Sequence, residues 1–301
     1  DTSPRCTLAE ILPAFEKPTT DHSRLSVLVR TPDQLQAALE AGMEEILVDY
    51  EDIRRYKDAV ATARSSNSGA AIFLSTPRIQ KAGEEGFFKL IANANPDGLL
   101  NRNNGGIEHF SGRQLRLIGD FSLNVANPVT ASVFHRQSLE RLTLSHDLNA
   151  EQILALLALA PPEWFQLTIH HHMPMFHMEH CVFAAFMSEG TDYTNCGRPC
   201  EKHRVHLRDR VGMQHPLRAD VGCRNTLFHA TAQTGAAFFE KFHAAGLRHF
   251  RIELLEESPA ETRQILAAYR DLLAHRRTGN DLHRDLQAKS QIGVTTGTYR
   301  D

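Results

Sequence analysis

The chain has 301 residues, of which 42% are hydrophobic and 23% charged, with a formal net charge of −3. That composition is ordinary for a globular protein with a real core, and it gives no global charge for binding a polyanion, so contact with nucleic acid would need a local basic patch. The apolar runs fall far short of the roughly 18–20 residues of a membrane span, and the polar start lacks the apolar core of a secretory signal, which together predict a cytoplasmic protein with no membrane partner.

In chain order, a β-rich run at 25–30 precedes a helix with Thr31 as N-cap, Pro32 in its first turn and Gly42 as its stop. Further strands are expected at 44–50, 70–76, 97–102, 117–127, 141–147, 164–170, 216–221 and 249–254, most of them followed by a helical stretch. Such alternation predicts an α/β protein, and a strand count near eight favours a TIM-barrel-like (β/α) barrel over an open sheet. No G-x-G-x-x-G or Walker sequence is present, which removes the usual dinucleotide and P-loop readings. One barrel domain is expected over residues 22–278, after an N-terminal extension or linker (1–21) and before a C-terminal tail (279–301). The start without methionine and the polar ends raise the expectation of a processed product or a piece of a longer chain; a homo- or hetero-oligomer is a separate partner expectation.

Barrel enzymes place their chemistry at the C-terminal ends of the strands. Polar residues expected there are Arg30, Asp49, Arg102, Asn103, Asn124, Asn127, Ser145, His170, Asp220 and Glu253, each with capping or plain hydrogen bonding as its bland alternative. His170 is the candidate acid/base. Asp49 and Arg102 are candidates to orient a polar substrate, with Asn103 beside them, and Arg102 suits a carboxylate through a bidentate contact.

The segment 170–224 carries the densest signal. Cys181, Cys196, Cys200 and Cys223 give the spacing C-x14-C-x3-C-x22-C, and the C-x3-C pair lies in a Gly/Pro loop where two thiolates can converge. Four thiolates suit a tetrahedral zinc or an iron–sulfur cluster, and the spacing does not choose between them. The odd count of five cysteines argues for a reducing compartment; Cys6 is assigned no role. His177 and His180 are further candidates for ligands or proton carriers, and Glu179 is the only acid between His170 and Ser188.

The run from Pro174 through His180-Cys181, the loop Cys196-Gly197-Arg198-Pro199-Cys200-Glu201 and the stretch from Leu207 to Arg224 resemble peptidase family U32, the collagenase-like peptidases, and most closely its long multi-domain members. The likeness extends over about residues 22–275. It implies an oxygen-sensitive 4Fe–4S cluster held by Cys181, Cys196, Cys200 and Cys223, in a protein taking part in oxygen-independent hydroxylation. The implied substrates are bases of tRNA or rRNA, or a ubiquinone precursor, with prephenate as hydroxyl source for the RNA branch. Two departures stand out: Pro174 takes the place of a further cysteine found in shorter members, and His170-His171-His172 replaces a Tyr-Gly-Arg-like triplet.

Three functions compete. RNA hydroxylation would draw on the basic stripe Arg198, Lys202, Arg204, Arg208, Arg210, Arg218 and Arg224, although Arg198, between Cys196 and Cys200, and Arg224, next to Cys223, suit offsetting a cluster's charge equally well. Proteolysis lacks both a G-x-S-x-G elbow and an H-E-x-x-H helix, and requires an open metal position left by one cysteine with His177, Glu179 or His180 taking part, Glu179 being the natural base candidate. A structural zinc module within a larger protein is the third.

Overall fold

The computed structural model describes residues 5–16, 22–289 and 294–300. A short helix α1 (Leu8–Ile11) precedes β1 (Arg24–Val29) and α2 (Pro32–Glu40). The pattern continues with β2 (Glu45–Val48), α3 (Tyr56–Ser65), β3 (Ala71–Ser75), α4 (Glu85–Asn93), β4 (Gly98–Asn101) and α5 (Asn104–Phe110). Then come β5 (Arg116–Gly119), α6 (Pro128–Arg136), β6 (Arg141–Thr143), α7 (Ala150–Leu157), β7 (Phe165–Met178) and α8 (Val182–Met187). Strands β8 (Val205–Arg208), β9 (Gln214–Asp220) and β10 (Arg224–Thr234) lead to α9 (Phe239–Ala244) and β11 (His249–Glu253). The chain finishes with α10 (Pro259–Leu273), α11 (Gly279–Lys289) and β12 (Val294–Thr295).

Strands β1 to β7 pair in sequence order, and β11 runs parallel to both β1 and β7, which closes an eight-stranded parallel barrel. Alternation along the strands sorts the core. Leu28, Leu47, Phe73, Leu100 and Ile118 form a small inner cluster, while Val27, Ile46, Ile72, Leu99 and Leu117 pack outward with the helices. Gly98 faces inward where Phe73 crosses the barrel: a Cβ there would lie 2.3 Å from the Phe73 ring, so only glycine fits. Below this layer Arg141 holds Glu45 at 2.6 Å, and Arg116 lies over the Phe73 ring at 4.9 Å.

The helices start as their sequences demand. Thr31, Asn103, Asn127, Asn149 and Ser258 each cap a helix with a side-chain oxygen, so for Asn103 and Asn127 the bland role is the one observed.

Two expectations are corrected. Residues 216–221 are no barrel strand: β9 pairs antiparallel with β8 and β10, and β10 pairs antiparallel with the upper part of β7. The result is a second sheet that rises from the mouth of the barrel. The C-terminal segment, expected as a tail from residue 279, belongs to the domain. Gly279–Lys289 is helical, β12 pairs with β10, and buried Tyr299 donates to the Thr168 carbonyl at 2.6 Å. Of the expected extension at 1–21, residues 1–4 and 17–21 lie outside the described residues.

Candidate functional site

The barrel mouth is closed by a ring of ion pairs. Arg102 grips Asp49 with both terminal nitrogens (2.7 and 2.9 Å) and Asp120 through Nε at 2.9 Å. Asp120 meets Arg251 at 2.6 Å, Arg251 meets Glu253 at 2.6 Å, and Arg30 lies 3.5 Å from both Glu253 and Asp49. Three cations and three anions thus alternate around the mouth. Burial raises the carboxyl pKa of Asp49, but the Arg102 and Arg30 guanidiniums outweigh it and hold that carboxyl below its usual value; Arg251 and Arg102 do the same for Asp120. Arg102, expected to receive a substrate carboxylate, is therefore already filled by two carboxylates of the protein. Asp49 is likewise a ring member.

A β-bulge decides which histidine faces inward. The register between β11 and β7 shifts from Arg251↔Thr168 to Ile252↔His170, leaving Ile169 as the extra residue. His170 consequently turns to the helix layer, where its Nδ1 lies 3.1 Å from the Tyr269 hydroxyl, and burial pushes its pKa down to about 3. The expected pocket acid/base is thus a neutral core histidine. His171 stacks on His146 at 4.3 Å, His146 stacks on Phe121 at 4.1 Å, and Arg78 covers Phe121 at 5.0 Å. This column of flat groups comes from the ends of four different strands. All four ring nitrogens of His146 and His171 are buried without a hydrogen-bond partner. Arg78, His146 and His171 were not among the expected site residues. Arg78 satisfied the strand-end rule that selects Arg102, being two residues further beyond its strand, whereas His171 is hidden by the bulge.

Between the ring and the second sheet lies a chamber of about 40 Å³, with Arg78, Phe121, Arg218, Asp220, Thr226 and Phe228 in its walls. On the sheet side, His177 Nδ1 lies 2.9 Å from the Thr226 hydroxyl and 3.8 Å from Asp220, while its Nε2 is buried without a partner.

The other face of the sheet carries a separate apolar core of Phe183, Leu217 and Leu227, with Cys181 and Cys200 packed against it. The four cysteines come from four places: the N-cap of α8, the loop at Cys196, the 3-10 turn Pro199–Glu201 and the turn Val221–Cys223. All four line one cavity of about 460 Å³. Backbone N–H groups of Ala184 and Arg198 reach the sulfurs of Cys181 and Cys196 at 3.4 Å, and that of Tyr193 reaches Cys223. Burial, followed by the neighbouring Glu51 carboxylate, pushes the Cys200 thiol up to about 12. Glu51, Ala219 and Asp220 line both this cavity and the chamber, so one wall separates the two. Among the described residues, no three His, Cys, Asp or Glu side chains converge tightly enough to hold a single metal ion.

The remaining candidates are tied elsewhere. Arg224 is buried and bridges Glu179 (2.9 Å) and Glu84 (2.8 Å), so its guanidinium joins the cysteine-bearing turn to the barrel loop before α4. Glu179 also pairs with Lys81, which leaves it no freedom as a base. Asn103, besides capping α5, donates to the Pro77 carbonyl at 2.7 Å. Of the basic stripe, Arg198, Lys202, Arg204 and Arg218 line a groove of about 790 Å³ beside the thiol cavity; Arg198 pairs there with Glu201 at 3.1 Å. Among the described residues, no helix is long and apolar enough to cross a membrane.

Residues 52–300 match the sequence profile of Peptidase family U32. The solved structure of a U32 peptidase is 16% identical with a TM-score of 0.47, and the match covers 82% of this chain and 98% of that one. A putative dihydrodipicolinate synthase family protein from Coccidioides immitis is 10% identical with a TM-score of 0.48, covering 91% of this chain and 81% of its own. The spore cortex-lytic enzyme of Bacillus cereus is 8% identical at a TM-score of 0.41, over 88% of this chain and 76% of that one. No curated protein matches the chain. With the profile running from the loop after β2 to the C-terminal segment, the chain belongs to peptidase family U32.

Proposed function

We propose that this chain is an iron–sulfur enzyme that hydroxylates an RNA base of tRNA or rRNA without molecular oxygen. The observation that carries the reading is the gathering of Cys181, Cys196, Cys200 and Cys223, from four separate segments, around one cavity next to the barrel mouth. The donor set fits a 4Fe–4S cluster better than zinc. A single tetrahedral zinc with bonds of about 2.3 Å requires sulfurs about 3.8 Å apart, whereas a cubane accepts thiolates spread around a wider body. N–H groups aimed at three of the sulfurs also suit cluster ligation. A bound cluster would supply redox chemistry and the positive charge that keeps Cys200 and Cys223 ionised. Without such charge, burial raises both thiols.

The protein's own groups support the rest. The chamber beyond the wall of Glu51, Ala219 and Asp220 is small enough to exclude bulk water, and the groove lined by Lys202, Arg204 and Arg218 offers cations to phosphates. Prephenate, implied as hydroxyl source by the family likeness, would be a co-substrate. The proteolytic reading is weakened by the two ion pairs of Glu179.

Protein purified without oxygen should show a broad visible absorption with about four irons and four sulfides per chain, as a cubane requires. Cys200→Ser should lose both. One zinc in place of iron would sink the cluster assignment. For the substrate, RNA from cells lacking the protein should lack one hydroxylated nucleoside, restored by the wild-type chain and not by Cys200→Ser.

A further inference from the structure

We infer that the chamber at the barrel mouth is a binding site for the carboxylate of a small organic acid, with Arg78 as its receptor. The argument starts from the other guanidiniums nearby. Arg30, Arg102 and Arg251 are spent in the ring, Arg224 holds two glutamates, and Arg218 leans toward Glu256 at 3.7 Å. Arg78 lines the chamber, yet among the described residues it has no carboxylate at ion-pair distance. Its contact is the face of Phe121. Asp49 and Asp120 are committed to other arginines, and Asp220 accepts from the Val221 N–H at 2.7 Å and faces His177.

Burial, and then the like charge of Arg102, lowers the Arg78 pKa, and the more distant Asp120, Asp220 and Asp49 offset this only in part, so the cation lacks a close anion. The fold nonetheless holds it there firmly. Asn103 donates to the Pro77 carbonyl, the Arg102 N–H donates to the Thr76 hydroxyl at 3.0 Å, and the His146–His171 stack backs Phe121. On the sheet side His177, bonded to the chamber-lining Thr226, keeps a buried Nε2 without a partner.

The size selects the chemistry. A space of about 40 Å³ holds about three waters, which matches a carboxylate group. A planar two-oxygen anion fits the guanidinium fork, and the nearby Asp49 and Asp220 disfavour the higher charge of phosphate. The chamber shares Arg30, Tyr50, Arg218 and Ala219 with the groove beside it, so the body of the acid would extend into that groove. This site does not depend on what the four thiols hold.

The test is calorimetric titration and thermal melting of the purified chain with acetate, malonate and inorganic phosphate, against chloride at equal ionic strength. Acetate and malonate should bind and raise Tm beyond chloride, with phosphate weaker. Arg78→Met should weaken carboxylate binding at least tenfold, and in carboxylate-free buffer should melt at or above the wild-type temperature because an unpaired cation is gone. Arg78→Lys, which keeps the charge without the fork, should fall between. Wild-type protein that ignores the carboxylates would overturn the inference, as would phosphate binding as tightly or unchanged binding by Arg78→Met. An Arg78→Met protein that melts lower or fails to fold would assign Arg78 a structural role instead.

Discussion

At the barrel mouth, three arginines and three acids are matched one against another, while just above them Arg78 lacks a close carboxylate, both ring nitrogens of His146 and His171 and Nε2 of His177 lack hydrogen-bond partners, and four thiols face one cavity. Both regions take polar groups out of water. The ring satisfies its groups within the chain, so it fixes the shape of the barrel and leaves no valence for a substrate. The chamber and the thiol cavity hold groups that only something brought from outside can satisfy. Buried polar groups left open in this way are costly to stability and mark where binding occurs.

Breaking the ring should have the largest effect. Asp120 is fully buried between Arg102 and Arg251, so Asp120→Ala leaves two buried cations short of a partner and should cost about 3–5 kcal/mol in urea unfolding. The second sheet can be loosened separately. Phe183→Ala empties the centre of its small core and should cost about 3 kcal/mol locally, seen as faster hydrogen exchange across 171–238 with the barrel strands unchanged.

Acid sharpens the comparison from another side. His146 and His170 are held to about 3 when folded, against 6.5 as the ordinary value, so the unfolded chain takes up protons first. Their contribution is fully present above pH about 6.5 and is lost as pH falls toward 3. At pH 5 each should have lost about 2 kcal/mol, measurable as a drop in urea midpoint that a His170→Gln variant shows less steeply. The smallest change is expected from Arg263→Ala, which removes an exposed pair with Glu40 and should shift stability by under about 1 kcal/mol.

The barrel was legible because each strand carries its own apolar run and each helix its own cap: all eight parallel strands fall on expected segments, and Thr31 and Pro32 open α2 as read. What escaped depends on partners far along the chain. The ring residues Arg30, Asp49, Arg102 and Glu253 were individually visible as strand-end charges. Their mutual pairing exists only once the barrel closes. Strand β10 escaped because Thr226, His229 and Gln233 interrupt its apolar residues, and its pairing with β7 supplies what local propensity does not. One bulge residue, Ile169, reversed the reading of His170 and His171, since alternation is a rule of regular strands only. The polar helix α11 read as a tail because its sequence carries few apolar residues, Leu282 and Leu286 being the ones that anchor it to the core among the described residues.

Strand β7 has a mechanical consequence. It runs unbroken for 14 residues, its lower part a stave of the barrel and its upper part the edge on which β10 is laid. A cover built this way joins the barrel through continuous strand and not through a loop. Lifting it from the mouth requires β7 itself to bend, at the Ile169 bulge, or the ladder between β7 and β10 to part. Either motion disturbs paired strands, so the mouth should open more rarely than a free loop swings.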